Sequence, residues 1–274
     1  MSGIRVGGYL KKRKKLIDSA LNLYLPKESE YPQVINKAMR YSVFPGGKRI
    51  RPILLLASCE ACGGDAKEAL PAACAIEIIH TYSLIHDDLP AMDNDDYRRG
   101  KLTSHKKFGE AIAVLTGDAL LTYGIELLTY GDKPKLHLDA IKDVLNAIGT
   151  YGMIGGQVVD INRQREVDLP TLTYINAHKT GALIASSCKV GGIIAGASKR
   201  RLNALERYGE YIGFTFQIID DILDKDGFAL AFGIGGARRE AVRLIEKAKE
   251  ELDIFGKKSS ALRGLADYIL NRKK

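Results

Sequence analysis

A chain of 274 residues that is 46% hydrophobic has material for a sizeable core, in one large domain or two ordinary ones. No window reaches the ~18 unbroken apolar residues of a membrane span, and the basic start MSGIRVGGYLKKRKKL lacks the apolar core of a signal peptide. The plain expectation is a cytoplasmic protein. A net charge of +8 suggests an anionic partner. Much of that charge lies in Lys11–Lys15 and Asn271–Lys274, which read as solvated faces or tails, and no aromatic residues interleave with basic ones as in a nucleic-acid groove.

Apolar residues recur at helical spacing along most of the chain. Taken in order, the pattern predicts helices over Tyr9–Tyr24, Tyr31–Ser42, Arg51–Cys62, Leu70–Asp88, Gly109–Tyr130, Leu138–Met153, Thr171–Gly191, Asn203–Asp224, Arg238–Phe255 and Ala261–Arg272. Asn203 with Glu206 three residues on resembles a capping box. Gly and Pro cluster between the runs, strand-like alternation is hard to find, and no fixed-period repeat or long linker interrupts them. An all-α single domain follows, a large bundle. Cys59 and Cys62 form a solitary CxxC inside an apolar helical run, and read as buried free thiols rather than a metal or redox pair.

Chemistry concentrates at a few places. Gly46-Gly47-Lys48-Arg49-Ile50-Arg51-Pro52 joins a glycine turn to a helix start, where backbone donors with Lys48 and Arg51 suit a diphosphate. Exposed basic turns are also common. His80 lies on an apolar helix, where a lone His is usually a satisfied core residue. Beyond it Asp87, Asp88 and Asp93 have the spacing DDxxxxD. On a straight helix Asp93 falls about 240° round from Asp87. Pro90 interrupts helical hydrogen bonding there, so a bulge over Leu89–Met92 has to bring Asp93 back. Arg98 and Arg99 follow, either compensating the nearby aspartates or binding phosphate. The second cluster, Asp220-Asp221-Ile222-Leu223-Asp224, puts Asp220 and Asp224 on one helix face about 6 Å apart along the axis. Carboxylates in so apolar a setting need arginines or a divalent metal. Two oxygen-rich clusters on separate helices facing one cavity suit magnesium, which keeps waters and shares its shell with substrate phosphates.

These residues assemble into a recognisable set. GGKRIRP at Gly46–Pro52, HTYSLIHDDLPAMDNDDYRRGKLTSH at His80–His105, KTGAL at Lys179–Leu183 and FQIIDDILD at Phe216–Asp224 resemble the trans-isoprenyl diphosphate synthases, of the short-chain farnesyl and geranylgeranyl type. The resemblance runs in order from about Tyr31 to Asp224. It implies the isoprenoid synthase fold over residues 1–274, with ten or more mostly antiparallel helices around a deep cavity, and a homodimer. It implies that Asp87, Asp88, Asp93 and Asp220 hold magnesium, three ions in all, on an allylic diphosphate, with Asp221 and Asp224 completing the second motif. Arg98 then binds the allylic diphosphate; Lys48, Arg51, His80 and Arg99 bind isopentenyl diphosphate; Lys179, Thr180 and Gln217 line the allylic site.

The implied reaction breaks the C–O bond of dimethylallyl or geranyl diphosphate, and the metals neutralise the departing diphosphate. The allylic cation is kept from water and stabilised by the Thr180 carbonyl and the Gln217 amide oxygen. Isopentenyl diphosphate adds to C1 and loses a proton to the released diphosphate. Tyr82 is about 7.5 Å deeper than Asp87 along its helix, with Ser83 beside it. In the family an aromatic at this depth goes with short products, which favours farnesyl (C15) over geranylgeranyl (C20) diphosphate. The family normally carries a longer basic loop after Asp224; here Lys225-Asp226-Gly227 leads almost at once into FALAFGIGG. A catalytically dead regulatory homologue is the competing reading, and the intact aspartates of both motifs argue against it.

Overall fold

A computed structural model describes residues 6–162 and 168–272. The all-α expectation holds: among the described residues the only strands are a two-residue pair. The chain divides into two compact units, one of Lys11–Ile53 with Leu70–Asp132, the other of Met1–Leu10, Leu54–Ala69 and Lys133–Lys274. Helices α1 (Val6–Tyr24) and α3 (Ile50–Cys62) contribute residues to both.

The first unit is organised around α4 (Leu70–Asp87), which is buried without a break from Ala72 to Ile79. A helix that is apolar on every side has to be surrounded. α6 (Glu110–Leu127) packs along it, and α2 (Gln33–Val43) touches both. The one charge in the buried run of α4, Glu77, accepts a hydrogen bond from Arg49 at 2.7 Å. Arg49 is only 3% exposed; its Nε donates to Asp18 at 2.9 Å and its Nη2 to the Val43 carbonyl at 2.8 Å. Every face of this guanidinium is used, as a buried charge requires.

In the second unit α10 (Ala182–Ile194) is the surrounded helix, packed by α7 (Pro134–Ile148) and α11 (Lys199–Asp224). α12 (Gly227–Glu251) lies along α11, and α13 (Ser260–Leu270) closes on both. Tyr208, fully buried on α11, donates to the Leu262 carbonyl of α13 at 2.8 Å.

Several boundaries differ from the periodicity. The predicted Leu138–Met153 ends early, α7 stopping at Ile148 where Gly149 turns extended at φ −72°, ψ −165°, and α8 (Met153–Asn162) is a separate helix that the periodicity does not mark. The predicted Thr171–Gly191 begins earlier, at α9 (Leu169–Ile175), where the Asp168 carboxylate accepts the Thr171 N–H. It then passes through a π-helical segment, Asn176–Gly181, before α10. α11 starts at Lys199, so Asn203 is inside the helix and the capping-box reading is wrong; Ser198 holds the N-cap position. α5 (Ser104–Phe108) is too short to show periodicity. α12 begins at Gly227 rather than Arg238, its glycine-rich start kinked at Gly233 (φ 69°).

Candidate active site

In the first unit the end of α4 opens into a closed turn. Asp88 N–H still reaches the Leu84 carbonyl at 3.1 Å, but Leu89 N–H tightens onto His86 at 3.2 Å, and Pro90 has no N–H to give. The chain then folds back: Asp93 N–H donates to the Asp87 carbonyl at 2.9 Å and Asn94 N–H to Leu89 at 3.1 Å. Asp93 is thus returned to Asp87, as the spacing required. Asp88 is 4% exposed and receives Arg98 twice, from Nε at 2.7 Å and Nη2 at 2.6 Å. Burial pushes its carboxyl up; the Arg98 guanidinium offsets part of that, and the balance remains upward. Asp95 stands 3.6 Å from Arg98, whereas Asp96 pairs with Lys106 at 2.7 Å.

The arginines are aimed by a hairpin, β1 (Tyr97–Arg98) paired with β2 (Lys101–Leu102). Its two-residue turn places Arg99 at φ 53° and Gly100 at φ 75°, the positive pair that such a turn needs. The Arg99 guanidinium donates to the Gly46 carbonyl at 2.7 Å and lies across Gly47, where a Cβ would come within 2.7 Å of Nη1. Hairpin and glycine turn therefore meet face to face, and Gly47 (φ 116°) has to be glycine on both counts. Arg51 Nη1 stands 3.4 Å from His80 Nε2. Burial, then the charges of Arg51, Arg99, Arg98 and Arg49, hold His80 well below its usual range. The neutral ring is thereby favoured, and in that form it can accept from Arg51. Arg99 is also held down by burial and by Arg49 and Arg98. Lys48 is exposed on the same loop. Cations this crowded are relieved by an anion.

The second unit carries the other motif at the end of α11. Asp221, 7% exposed, accepts Gln217 Nε2 at 3.1 Å and the Phe228 N–H at 2.9 Å. Its carboxylate thereby caps α12, which Lys225 and Asp226 alone separate from α11. Burial raises its carboxyl more than these bonds lower it. Asp220 pairs with Arg272, whose Nη2 also donates to the Phe216 carbonyl at 2.8 Å and whose guanidinium covers the Phe216 ring at 3.7 Å. Asp224 is exposed at the helix end. Thr180 Oγ1 donates to Gln217 Oε1 at 3.2 Å, and Lys179 Nζ to Asp160 of α8 at 2.6 Å. Both Lys179 and Thr180 sit in the π-helical segment, which is gripped at van der Waals distance. A Cβ on Gly156 would strike the Lys179 backbone, and one on Gly213 would lie 2.7 Å from Gly181 Cα.

The sequence of the polyprenyl synthetase family matches residues 32–233. A farnesyl diphosphate synthase of Geobacillus stearothermophilus is 47% identical over 83% of this chain and 78% of its own. A geranylgeranyl diphosphate synthase of Cyanophora paradoxa is 43% identical, covering 96% of this chain and 95% of its own. The crystal structure of an FPP/GFPP synthase from Zymomonas mobilis superposes with a TM-score of 0.93 at 38% identity, over 98% of this chain and all of that one. The chain belongs to the polyprenyl synthetase family. Within it the chain is a short-chain prenyl diphosphate synthase, a prenyltransferase of the all-α isoprenoid synthase fold; the relatives' names divide between farnesyl and geranylgeranyl products.

Four residues of this synthase escaped the sequence reading. By sequence Arg272 belongs to a solvated tail, yet its side chain is 4% exposed; Lys273 and Lys274 of that run lie outside the described residues. Asp160, Arg49 and His86 likewise owe their importance to partners far along the chain. The cysteines are free, and burial pushes Cys59 up to about 12 and Cys62 to about 11, as inert thiols require. Among the described residues no helix is long and apolar enough to cross a membrane. Nor does any group of three or more His, Cys, Asp or Glu side chains there form a cage for an ion unaided. The donor sets fit magnesium nonetheless. They are hard carboxylate oxygens, Asp93 folded back on Asp87 in one unit and Asp220 with Asp224 one turn apart in the other. Magnesium needs only one or two such groups beside phosphate oxygens and water.

Proposed function

We propose that the protein condenses isopentenyl diphosphate with dimethylallyl and geranyl diphosphates to make farnesyl diphosphate, C15. The observation that carries the reaction is the pairing of two opposite sites in one unit. The folded-back turn of Asp87, Asp88 and Asp93 stands beside a cationic group of Lys48, Arg51 and Arg99 with neutral His80. Asp87, Asp88 and Asp93 of the one unit and Asp220 of the other would hold magnesium, three ions in the family pattern, and the metal would supply charge neutralisation for the departing diphosphate. Arg98, paired with Asp88 in this structure, binds the allylic diphosphate. Lys48, Arg51, His80 and Arg99 orient isopentenyl diphosphate, His80 through its neutral ring.

Asp221 and Asp224 complete the second motif, Asp221 by fixing the Gln217 amide. With Nε2 tied to Asp221, Oε1 is held as the negative end of that dipole beside Thr180. There the Thr180 carbonyl and Gln217 stabilise the allylic cation, while Lys179, paired with Asp160, binds the allylic diphosphate. The proton lost after addition goes to the released diphosphate. Residues 1–274 act as one isoprenoid synthase domain in a cytoplasmic homodimer. Exposed apolar side chains on α8 at helical spacing, Ile154, Val158 and Ile161, support a second copy.

Tyr82 supports C15. It is 5% exposed on α4, five residues before Asp87, with Ser83 next to it bonded to the His80 carbonyl. The names of several relatives favour C20 as the second reading. Incubation with isopentenyl diphosphate, magnesium and the C5, C10 or C15 allylic substrate decides between them. C15 product from the first two, with none from the third, is expected; C20 as the main product overturns the chain-length assignment. Absence of diphosphate release with every primer overturns the activity and leaves the regulatory homologue.

A further inference from the structure

One histidine of the first unit has no part in the reaction above. His86 follows Tyr82 by one turn of α4, so both side chains leave the same face of the helix. Its ring enters a notch in α6 at Gly117, where any Cβ would overlap the imidazole. At the bottom of the notch Nε2 is 3.1 Å from the Val114 carbonyl, a bond that requires the proton on Nε2. The Asp118 carboxylate stands 4.0 Å away. α6 thus grips the ring by shape and by one backbone acceptor.

The other side of the imidazole is turned to Tyr82. The two rings meet edge to face, with centroids 5.8 Å apart and planes at 77°. Tyr82 itself has no polar anchor: its hydroxyl is buried without a hydrogen-bond partner among the described residues. Burial pushes that phenol up to about 12. An unsatisfied buried hydroxyl costs about 1–3 kcal/mol, which phenylalanine would avoid. The tyrosine is therefore kept in place by packing alone, and His86 is the aromatic partner that packs it.

We propose that His86, seated in the Gly117 notch of α6, is a second determinant of product length: a positioning residue that braces the Tyr82 ring against the growing prenyl tail. The proposal rests on the reading of Tyr82 as the floor. Removing the imidazole gives the phenol ring room to swing away, and a longer apolar chain is accommodated. Filling the notch with a methyl group expels the imidazole and has the same result from the other helix. Neither change touches a group assigned to diphosphate or metal.

The test is a product profile of the full chain carrying Tyr82→Ala, His86→Ala or Gly117→Ala, and the doubles His86→Ala/Tyr82→Ala and Gly117→Ala/Tyr82→Ala. Each is given geranyl and isopentenyl diphosphates with magnesium, and the products are chromatographed after dephosphorylation. All three single variants are expected to raise the ratio of C20 to C15, His86→Ala and Gly117→Ala by about fivefold or more, as ~1 kcal/mol of lost bracing gives. Neither is expected to add to Tyr82→Ala in the doubles. If Tyr82→Ala lengthens the product while His86→Ala keeps the wild-type profile, the brace is overturned and the floor stands. If Tyr82→Ala changes nothing, the floor fails and the brace with it. Lengthening by His86→Ala that adds fully in the Tyr82→Ala background also overturns the route through Tyr82. His86→Ala leaves an empty notch rather than a clash, so it reads out even where Gly117→Ala fails to fold.

Discussion

The two acidic motifs solve one problem in opposite ways. After α4 the carboxylates occupy an irregular turn, and the partner of buried Asp88 is a side chain, Arg98, carried on a small hairpin. At the end of α11 they stay on a regular helix, and buried Asp221 is satisfied by a backbone N–H and an amide. A guanidinium on a surface hairpin can exchange one anion for another; a helix N-terminus cannot leave. The pairing in the first motif is thereby the more exchangeable of the two. The second is built to stay, with only Asp220, paired to Arg272, holding an exchangeable partner.

The strongest way to break this contrast is to compare one aspartate from each motif. Asp87→Ala is expected to lower kcat/KM by about 10²–10³-fold, the usual loss for a group that stabilises developing charge. Asp221→Asn keeps an acceptor for the Phe228 N–H and is expected to stay within roughly tenfold of wild type, an estimate from one weakened hydrogen bond. Equal losses in steady-state assays with both substrates erase the distinction.

Next in size is the frame behind the first motif. Glu77→Ala leaves Arg49 buried with one anionic partner fewer and should cost about 3–5 kcal/mol, visible as a lower urea midpoint. A change below ~1 kcal/mol, the range of an exposed pair, shows that Asp18 suffices to hold Arg49.

A smaller effect sharpens the account of the second motif. Arg272→Ala removes the cation on Asp220, so Mn²⁺ followed by its electron paramagnetic resonance signal, without substrate, should bind severalfold more tightly, about 1 kcal/mol. Unchanged affinity means that the arginine does not compete for that carboxylate.

The smallest is a pH effect on stability. Burial alone would raise the Asp18 carboxyl, but Lys14 and Arg49 outweigh it and hold it below the usual value. A depressed carboxyl contributes stability above its unfolded pKa of about 3.9, and that stability is lost as pH falls through the folded value. Asp18→Asn should therefore melt a little lower than wild type at pH 7, the gap closing as the solution is acidified below pH ~4. A gap that persists in acid assigns the difference to something other than charge.

Local signals were enough for much of this protein. The apolar runs marked α4 and α10 because a helix buried on nearly all sides needs little else to announce it, and α11 showed as an apolar stripe at helical spacing. The spacing of Asp87 and Asp93 demanded a break, Pro90 supplied one, and the Asp93-to-Asp87 backbone bond is the outcome. The family could be read from motif order, since those residue types at those intervals have few other uses.

Arg272, Arg49 and His86 depend instead on partners distant in sequence. Arg272 looks like a solvated tail until Asp220 and Phe216 lie beneath it. Arg49 is indistinguishable from Lys48 and Arg51 in GGKRIRP, yet only Arg49 is buried against Asp18 and Glu77. His86 is one more residue of an apolar helix until Gly117 opens a place for it. Charge and periodicity follow from the order of residues alone and determined which helices form and which chemistry they carry. Which charge is buried, and against what, depends on desolvation and close contact, and those exist only once the helices have packed.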